Sequence, residues 1–515
     1  MNWRATIANS LWIGSSLPQW HRFRHALNRP AEVQRSLLRQ LLASNSGCAY
    51  GRNYNFQQIR DYVDFANRVP LKDYENLAPW IDRIRQGEKG ILTSAPVTHL
   101  IPTSGSIGAR KLIPFTSELQ KQFDCAIGPW IAELALAHPQ ILAGPAYWSI
   151  TPPPANSTVK PSEVPIGFAD DASYLGGVKS RLVRAAMVGP DQAAIANDPG
   201  EFQVRTLLCL LEARDLRLIS VWHPSFLSLL LDALPVHWER ILAQISLKNR
   251  GRVRELERAS PSRPETLWPN LKVISCWGDG HAKLPLADLQ RRFPDIAIQA
   301  KGLLATEAFM TIPYAGRHPV AICSHFFEYV DSQGQVHPVE ELRADEIYEV
   351  IVTTAGGLWR YRMHDQVGVT GFVGKTPSLQ FIGRTGNVSD LFGEKLSESF
   401  VADVIQNTFA LSVEKPRFAL LAPDQDAAGW HYTLYVEGPI LTDTAEVLDR
   451  NLRQNLHYSH CRDLGQLLPV TVVPIKSRGY ESFVKRLVSE GKRLGDIKPA
   501  ALSCAPGWSK VFEVN

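Results

Sequence analysis

The sequence contains little cysteine, and its cysteines are not spaced like metal ligands or a disulfide framework. Seven are present among 515 residues, and no two form a Cys-x-x-Cys pair. An odd number without paired spacing argues against a zinc site and against a secreted, disulfide-bonded fold. We therefore expect a reducing, cytoplasmic environment.

Long apolar segments and a strong excess of charge are also lacking. The most apolar stretch, near Phe226–Leu234, is too short to span a bilayer. Polar residues interrupt the N-terminal run, so no signal peptide is predicted. The net charge of +4 gives no strong attraction to nucleic acid or anionic membranes. We expect a soluble monomer that binds neither.

The 45% of hydrophobic residues and 21% of charged residues are ordinary for a globular protein with a large core. The first hundred residues show mainly helical spacing of apolar side chains. Strands are then predicted over 97–101, 216–221, 271–276, 296–300 and 347–353, with helices from about Ser117, over 224–234 and over 284–293. Strands that alternate with helices are typical of an α/β architecture.

The pattern of residue types changes after residues 381–384. Residues 385–387, Thr-Gly-Asn, form a short polar break and are a reasonable hinge. The remainder has the size of a small α+β domain. We predict a large N-terminal domain over residues 1–385 and a small C-terminal lid domain over residues 386–515.

A loop rich in glycine and hydroxyl groups follows the strand predicted over 97–101. Residues 103–111 read Thr-Ser-Gly-Ser-Ile-Gly-Ala-Arg-Lys. Glycines let backbone N–H groups approach a phosphate, hydroxyls donate further hydrogen bonds, and the terminal cations neutralise charge. The spacing fits neither a Walker A loop nor a nucleophile elbow. Taken alone, a phosphate-binding loop and a flexible surface turn are equally open.

Three further segments carry candidate chemistry. Glu307, after the strand at 296–300, could hold Mg²⁺, although a helix N-cap with an acidic first turn is the alternative. Asp365, in Tyr361-Arg362-Met363-His364-Asp365, could bind ribose hydroxyls or form a surface ion pair with arginine. His364 is interpreted as structural. Lys498 could reach phosphates from a mobile domain or be simply solvated.

The order of these segments resembles that of the acyl acid-amido synthetases, the auxin-responsive Gretchen Hagen three family of the adenylate-forming superfamily. The first family motif runs Ser-Ser-Gly-Thr-Ser-x-Gly-x-x-Lys and is similar to residues 103–111. The second ends in Ser-Ser-Glu, where this chain has Ala305-Thr306-Glu307. The third is Tyr-Arg-x-Gly-Asp, and here His364 replaces the glycine. The family often has Pro-Arg after its C-terminal lysine, whereas Pro499 here precedes alanine.

The resemblance implies a large domain of mixed sheets flanked by helices, with a β-barrel-like part, plus a small mobile α+β domain. It implies that Glu307 holds Mg²⁺ and that Glu307 and Lys498 are catalytic, with Lys492 as the fallback lysine. The implied ATP and AMP ligands are Thr103, Ser104, Gly105, Ser106, Lys111, Gly302, Ala305, Thr306, Asp365 and Arg384.

The activity implied is that of an ATP-dependent ligase, which forms an acyl-adenylate and transfers the acyl group to an amine, such as an amino acid. Coenzyme A as acceptor and an inactive nucleotide- or acyl-acid-binding protein are the alternatives. A basic cluster at 248–254 could bind nucleic acid, but a solvated helix face explains it better. The acyl pocket is expected near Phe115, Trp148, Trp222 and Phe226, although aromatic residues more often form core.

Overall fold

The structure is a computed structural model that describes residues 2–103, 111–149, 162–167, 177–189, 199–384 and, with gaps at 390, 393, 411, 413, 491 and 493–496, residues 388–513. The chain forms two compact units. The first comprises Met1–Val221, Ala233–Trp277 and Asp295–Phe381, and the second Trp222–Asp232, Gly278–Pro294 and Ile382–Asn515. The proposed division into a catalytic domain and a lid stays a prediction.

The N-terminal part is mainly helical, as predicted. Its helices are α1 Trp3–Ala26, α2 Pro30–Asn45, α3 Ala49–Asn53, α4 Tyr62–Arg68 and α5 Tyr74–Arg85. The side chain of Asp61 caps α4 by accepting from the backbone N–H of Asp64. In α5, Leu77, Ile81 and Ile84 are buried, because their spacing places them on one face.

A hairpin leads from this helical part into the first long helix of the core. Strand β1, Val97–Pro102, pairs antiparallel with β2, Leu112–Thr116. Helix α6, Ser117–Ala137, follows directly, and the Thr116 hydroxyl accepts from the Leu119 N–H at 3.0 Å. The predicted strand and helix start are confirmed here.

A four-stranded parallel sheet forms the α/β part of the first unit, in the order β3-β4-β5-β6. The strands are β3 Ala146–Trp148, β4 Leu218–Ser220, β5 Val273–Trp277 and β6 Ala297–Lys301. The intervening helices are α7 Gly177–Ala186, α8 Pro199–Glu212, α9 Pro224–Ser246, α10 Arg250–Leu256 and α11 Lys283–Arg292. The predicted alternation of strand and helix is confirmed, and all four strands end at one edge.

A second, antiparallel sheet has the order β11-β10-β9-β7-β8. Its strands are β7 Phe326–Val330, β8 Val336–Pro338, β9 Ile347–Thr353, β10 Tyr361–Val373 and β11 Thr376–Arg384. The predicted bounds of β9, residues 347–353, are confirmed. The β-branched residues that favour this strand lie within the strand itself. The register of β10 against β9 shifts between Arg362 and Gln366, which marks a bulge.

The second unit has an α+β core of its own. Its elements are β12 Val388–Ser389, β13 Leu396–Ser397, α12 Glu398–Thr408, β14 Phe418–Gln425, β15 Trp430–Glu437, α13 Thr444–Leu452, α14 Leu456–Asp463, β16 Thr471–Pro474 and α15 Gly479–Ser489. Strand β15 pairs antiparallel with β14 and parallel with β16. Leu434 and Val436 of β15 are fully buried.

No helix within the described ranges is long and apolar enough to cross a membrane. The cytoplasmic location and the monomeric state stay predictions.

A fully buried histidine lies in the core of the first unit. His325 packs edge-on against Phe123 and Phe327, with ring centroids 5.3 and 6.1 Å away. Its Nδ1 lies 3.1 Å from Gln122 Oε1. Burial disfavours the charged imidazolium and lowers the pKa of His325 to about 3. The ring therefore stays neutral in the folded protein at pH values where an unfolded chain would protonate it.

His325 should make stability fall as the pH is lowered. Above about pH 6.5 both states are neutral, whereas below it only the unfolded state binds the proton, until the folded pKa is reached. Between about pH 6 and 4 the unfolding free energy should therefore drop by about 1.4 kcal/mol per pH unit from this group. Denaturant titrations of wild type and His325→Asn across that range would measure the slope. His21→Asn, on an exposed position, is the control, and parallel slopes for wild type and His325→Asn would contradict the expectation.

Candidate active site

The ends of the β1–β2 hairpin hold the base of the predicted phosphate loop. Ser104, Gly105 and Ser106 lie outside the described residues. Thr103 and Lys111 are described, and the Thr103 N–H donates to the Lys111 carbonyl at 2.8 Å. Thr103 and Lys111, which flank residues 104–110 in the sequence, are therefore paired with each other at the end of the hairpin.

Lys111 links this loop to the third motif, 250 residues further along the chain. Its Nζ donates to the Tyr361 hydroxyl at 3.4 Å. The same ammonium lies 5.5 Å from the Tyr74 ring centroid and 6.0 Å from that of Tyr361, within the range of cation–π attraction. Two aromatic rings thus orient the lysine that is predicted to serve phosphates, and they place it at the first residue of β10.

Asp365 lies on β10 close to Tyr361 and is buried, with 4% of its surface exposed. Arg362 makes a bidentate pair with Glu349, at 2.9 and 2.6 Å. The alternative of an exposed Arg–Asp pair is wrong, because Asp365 is not on the surface. A buried carboxylate in the bulge of β10 fits the predicted ribose ligand.

His364 occupies the motif's glycine position and adopts a left-handed backbone conformation, with φ of 59°. Such a conformation is easy for glycine and strained for other residues. Side-chain contacts accompany it: Nε2 lies 2.8 Å from Asp73 Oδ1, and Nδ1 lies 3.5 Å from Glu349 Oε1. The bulge that glycine would permit is thus present in this chain, and His364 has structural contacts rather than the position of a free base.

Residues 302–307 form a tight turn that returns the chain towards β6. The Ala305 N–H donates to the Ala308 carbonyl at 3.0 Å, and Leu304 bridges Phe309. A Cβ at Gly302 would come within 2.2 Å of the Thr311 carbonyl oxygen, so only glycine fits there. The helix N-cap alternative is wrong, because Thr306 and Glu307 lie in the bend of this turn and no helix begins at them.

Glu307 is the turn's carboxylate, and it is buried, with 5% of its surface exposed. Within the described ranges, no group of three or more His, Cys, Asp or Glu side chains is arranged to hold a metal ion. Mg²⁺ in nucleotide enzymes is commonly held by one or two carboxylates together with substrate phosphates. A single buried carboxylate fits that kind of binding and does not fit a metal cage made by protein alone.

The C-terminal candidates lie in the second unit. Lys498 is exposed, between buried Ile497 and Pro499. The Tyr480 hydroxyl donates to the Ile497 carbonyl at 3.1 Å and anchors this segment. Lys492 is half-buried, and its N–H donates to the Leu487 carbonyl. Lys498 is the more exposed of the two, and the choice between the two lysines stays a prediction. Arg384 is the last residue of β11.

The four aromatic residues predicted for the acyl pocket have different environments. Phe115 is a core residue of the first unit. Trp148, in the same unit, is half-buried, with its ring centroid 5.7 Å from Trp12 and 6.0 Å from Trp130. Trp222 and Phe226 belong to the second unit, where Trp222 is 41% exposed. Their role as pocket walls stays a prediction.

The basic cluster at 248–254 is partly folded inward. Arg252 is buried, and it donates to the carbonyls of Leu211 and Leu267 at 2.8 and 2.6 Å. Arg252 and Arg214 both contact Glu255. The expected solvated face is therefore wrong for Arg252, because its guanidinium satisfies backbone acceptors that helix and turn ends leave open.

A buried ion pair and a buried lysine in the first unit were not predicted from the sequence. Arg360 makes a bidentate pair with Glu328, at 3.0 and 2.8 Å. Lys301, the last residue of β6, is only 7% exposed. A charged residue at the end of an otherwise apolar predicted strand was the available signal for Lys301. For the Arg360–Glu328 pair no local signal exists, because the partners are 32 residues apart and meet only through the sheet.

Known proteins are similar to this chain along most of its length. Family models described as the GH3 family N-terminal, central and C-terminal domains match residues 19–298, 319–384 and 399–505. Two similar proteins of Arabidopsis thaliana are a probable indole-3-acetic acid-amido synthetase, GH3.1, and the indole-3-acetic acid-amido synthetase GH3.3. Both are 22% identical; the alignments cover 94% and 92% of this chain and 91% and 90% of those proteins.

Two solved structures also resemble this chain in fold. The structure described as AtGH3.15 acyl acid amido synthetase in complex with 2,4-DB has a TM-score of 0.85 at 19% identity, covering 98% of this chain and 96% of that one. A 2-hydroxyisobutyryl-CoA ligase in the postadenylation state, in complex with 2-HIB-AMP, has a TM-score of 0.50 at 12% identity, covering 90% and 92%. The predicted adenylate-forming α/β fold is confirmed.

The strain at His364 should be visible in the order of two variants. His364→Ala and His364→Gly both remove the contacts with Asp73 and Glu349, but only alanine keeps the cost of a positive φ. We expect His364→Ala to be less stable than His364→Gly by about 1 kcal/mol, measured by chemical denaturation. The same pair at Gln366, on the same strand, should show the opposite order because glycine weakens an ordinary strand. Equal stability of the two His364 variants would refute the strain.

Proposed function

Because this chain belongs to the GH3 family, we propose that it is an ATP-dependent ligase that joins a carboxylic acid to an amine, such as an amino acid, through an acyl-adenylate. The observation that carries the proposal is the contact of Lys111 with Tyr361. It joins the base of the loop at 104–110 to the strand that bears buried Asp365. The contact supports assigning phosphate binding to the loop that ends at Lys111 and ribose binding to Asp365, because Lys111 and Asp365 are then both near the start of β10.

In the first step, a carboxylate oxygen of the acid attacks the α-phosphorus of ATP. The bond between the α-phosphorus and the bridging oxygen breaks, and pyrophosphate leaves with the negative charge. Thr103, the loop and Lys111 hold the phosphates, Asp365 accepts hydrogen bonds from the ribose hydroxyls, and the turn at 302–307 lines the adenine and α-phosphate side. The contribution of these residues is to position two anions and to stabilise charge that develops between them.

In the second step, the amine nitrogen attacks the acyl carbon of the adenylate. The bond from that carbon to the phosphate oxygen breaks, AMP leaves, and the nitrogen loses its proton to solvent. The amide is the product. We assign Lys498 to the charge of the first, adenylation step and Arg384 to recognition of the ribose.

Magnesium, when bound, supplies positive charge between the phosphates and the protein. Glu307 would hold it, because a carboxylate supplies the hard oxygen ligand that Mg²⁺ prefers. The burial of Glu307 restricts water around its carboxylate, which strengthens its attraction for a cation.

The reaction class has a direct test. Purified wild-type protein with ATP and Mg²⁺ should release pyrophosphate only when a suitable carboxylic acid is added, which a screen of acids would show. With the best acid, an amino acid should then give an amide and AMP, identified by mass spectrometry. Formation of a thioester with coenzyme A instead would favour the alternative that the 2-hydroxyisobutyryl-CoA ligase exemplifies. Absence of acid-dependent pyrophosphate release with every acid would leave only a binding protein.

Glu307→Gln tests the carboxylate at the turn, because the amide keeps the size of the side chain and removes its charge. If Glu307 holds Mg²⁺ against the phosphates, acid-dependent pyrophosphate release should fall at least about 100-fold, the range found when one electrostatic contact to a transition state is lost. Glu118→Gln, at an exposed position on α6, is the control and should retain activity. Unchanged release by Glu307→Gln, with an unchanged melting temperature, would remove Glu307 from the metal site.

A further inference from the structure

Tyr74, the first residue of α5, contacts Lys111 and the residue that follows it. The Tyr74 hydroxyl accepts a hydrogen bond from the Leu112 N–H at 2.8 Å, and the Tyr74 ring centroid lies 5.5 Å from Lys111 Nζ. The peptide group between Lys111 and Leu112 therefore has both polar atoms bonded, because its carbonyl accepts from the Thr103 N–H. A planar peptide group that is held on both sides restricts the direction in which the Lys111 side chain leaves the backbone.

Tyr74 is itself held by backbone bonds to the start of β10. Two residues before it, the Lys72 N–H donates to the Arg360 carbonyl at 2.9 Å. The Lys72 carbonyl accepts from the Arg362 N–H at 2.8 Å. These two bonds lie on either side of Tyr361, whose hydroxyl accepts from the same ammonium. Tyr74 and Tyr361 thus approach one lysine from two segments whose backbones are hydrogen-bonded to each other.

The Tyr74 ring acts on Lys111 as a neutral aromatic surface. Burial raises the pKa of the Tyr74 hydroxyl, so the phenol keeps its proton at neutral pH. The attraction over 5.5 Å is that of a cation for an aromatic ring. Together with the fixed peptide group, this attraction reduces the number of positions open to the Lys111 side chain. A side chain that is ordered beforehand loses less freedom when it binds a phosphate.

We propose that Tyr74 is a positioning residue for the phosphates of ATP, which acts by ordering Lys111 before the nucleotide binds. This inference rests on the proposed function, since it assumes that Lys111 binds phosphates. The hydroxyl of Tyr74 holds the backbone after Lys111, whereas its ring holds the ammonium. Substitutions that remove one or both of these contacts should therefore weaken ATP binding in two steps.

Tyr74→Phe removes the hydroxyl and keeps the ring, and Tyr74→Leu removes both contacts. Calorimetric titration with ATP and Mg²⁺, without an acid so that no turnover occurs, would give the affinity of each variant. We expect ATP to bind about 3- to 10-fold more weakly to Tyr74→Phe, as for one lost hydrogen bond. Binding to Tyr74→Leu should be about 10- to 100-fold weaker, because the attraction between ring and ammonium is lost as well.

Tyr348→Phe is the matched control. The Tyr348 hydroxyl, on β9, also accepts from a backbone N–H, that of Arg343 at 3.3 Å. Its removal should lower stability without changing the affinity for ATP. If both Tyr74 variants keep the wild-type affinity for ATP while their melting temperatures fall, the proposal is overturned and Tyr74 is a purely structural link.

A double-mutant cycle with Lys111→Met separates positioning from direct contact with the nucleotide. If Tyr74 acts through Lys111, Tyr74→Leu should weaken ATP binding in the wild-type background and have no further effect in the Lys111→Met background. An equal loss of affinity in both backgrounds would overturn the proposal, because Tyr74 would then act on ATP independently of Lys111.

Binding and turnover together distinguish this inference from the proposed reaction. If the affinity for ATP depends on Tyr74 and Lys111 as expected, yet no acid causes pyrophosphate release, the proposed reaction fails and the positioning role stands. If pyrophosphate is released and Tyr74→Leu binds ATP as tightly as wild type does, the positioning role fails and the reaction stands. A wild-type protein that binds no ATP refutes both.

Discussion

The buried ion pair between Arg360 and Glu328 is the interaction on which the geometry of the first unit depends. Besides its two bonds to Glu328, Arg360 donates through Nη1 to the carbonyls of Ala66 and Val69, at 2.7 Å each. Burying two charges is costly unless their polar atoms are hydrogen-bonded. Here the Arg360 guanidinium makes four bonds, two to the Glu328 carboxylate and two to backbone carbonyls. The pair therefore fixes the end of α4 and strand β7 against the residue that immediately precedes β10.

The ion pair of Arg360 with Glu328 fixes the position of Tyr361, the next residue. A second set of contacts holds the β1–β2 hairpin close to it. The Ala355 N–H donates to Gln122 on α6, and the Thr116 hydroxyl donates to the Ala355 carbonyl. A Cβ at Gly356 would come 2.6 Å from the Pro114 carbonyl, so the turn before β10 packs directly on β2. Lys111 lies immediately before β2. Its approach to Tyr361 therefore follows from the packing of β2 against the turn before β10.

Elements that depend on neighbouring residues could be predicted from local patterns in the sequence. Strand β9 and the start of α6 near Ser117 were predicted correctly, because β-branched runs and capping residues act within a few positions. The turn at Thr306–Glu307 was misjudged as a possible helix cap, since the groups that close it lie across the turn. Burial of Arg252 and Lys301 was also not predicted. Whether a charge is buried depends on acceptors from distant segments, which periodicity does not encode.

The third motif shows why backbone conformation is the better criterion for a site than residue identity. Histidine at position 364 departs from the glycine of the family motif, yet the bulge and the burial of Asp365 are both present. The left-handed conformation costs about 1–2 kcal/mol for a residue with a Cβ, and the contacts of His364 with Asp73 and Glu349 are available to offset it. This position combines a positive φ with a buried carboxylate at the next residue. Glycine provides the positive φ without strain, and a side chain with two carboxylate neighbours provides it at a cost that the surrounding structure can absorb.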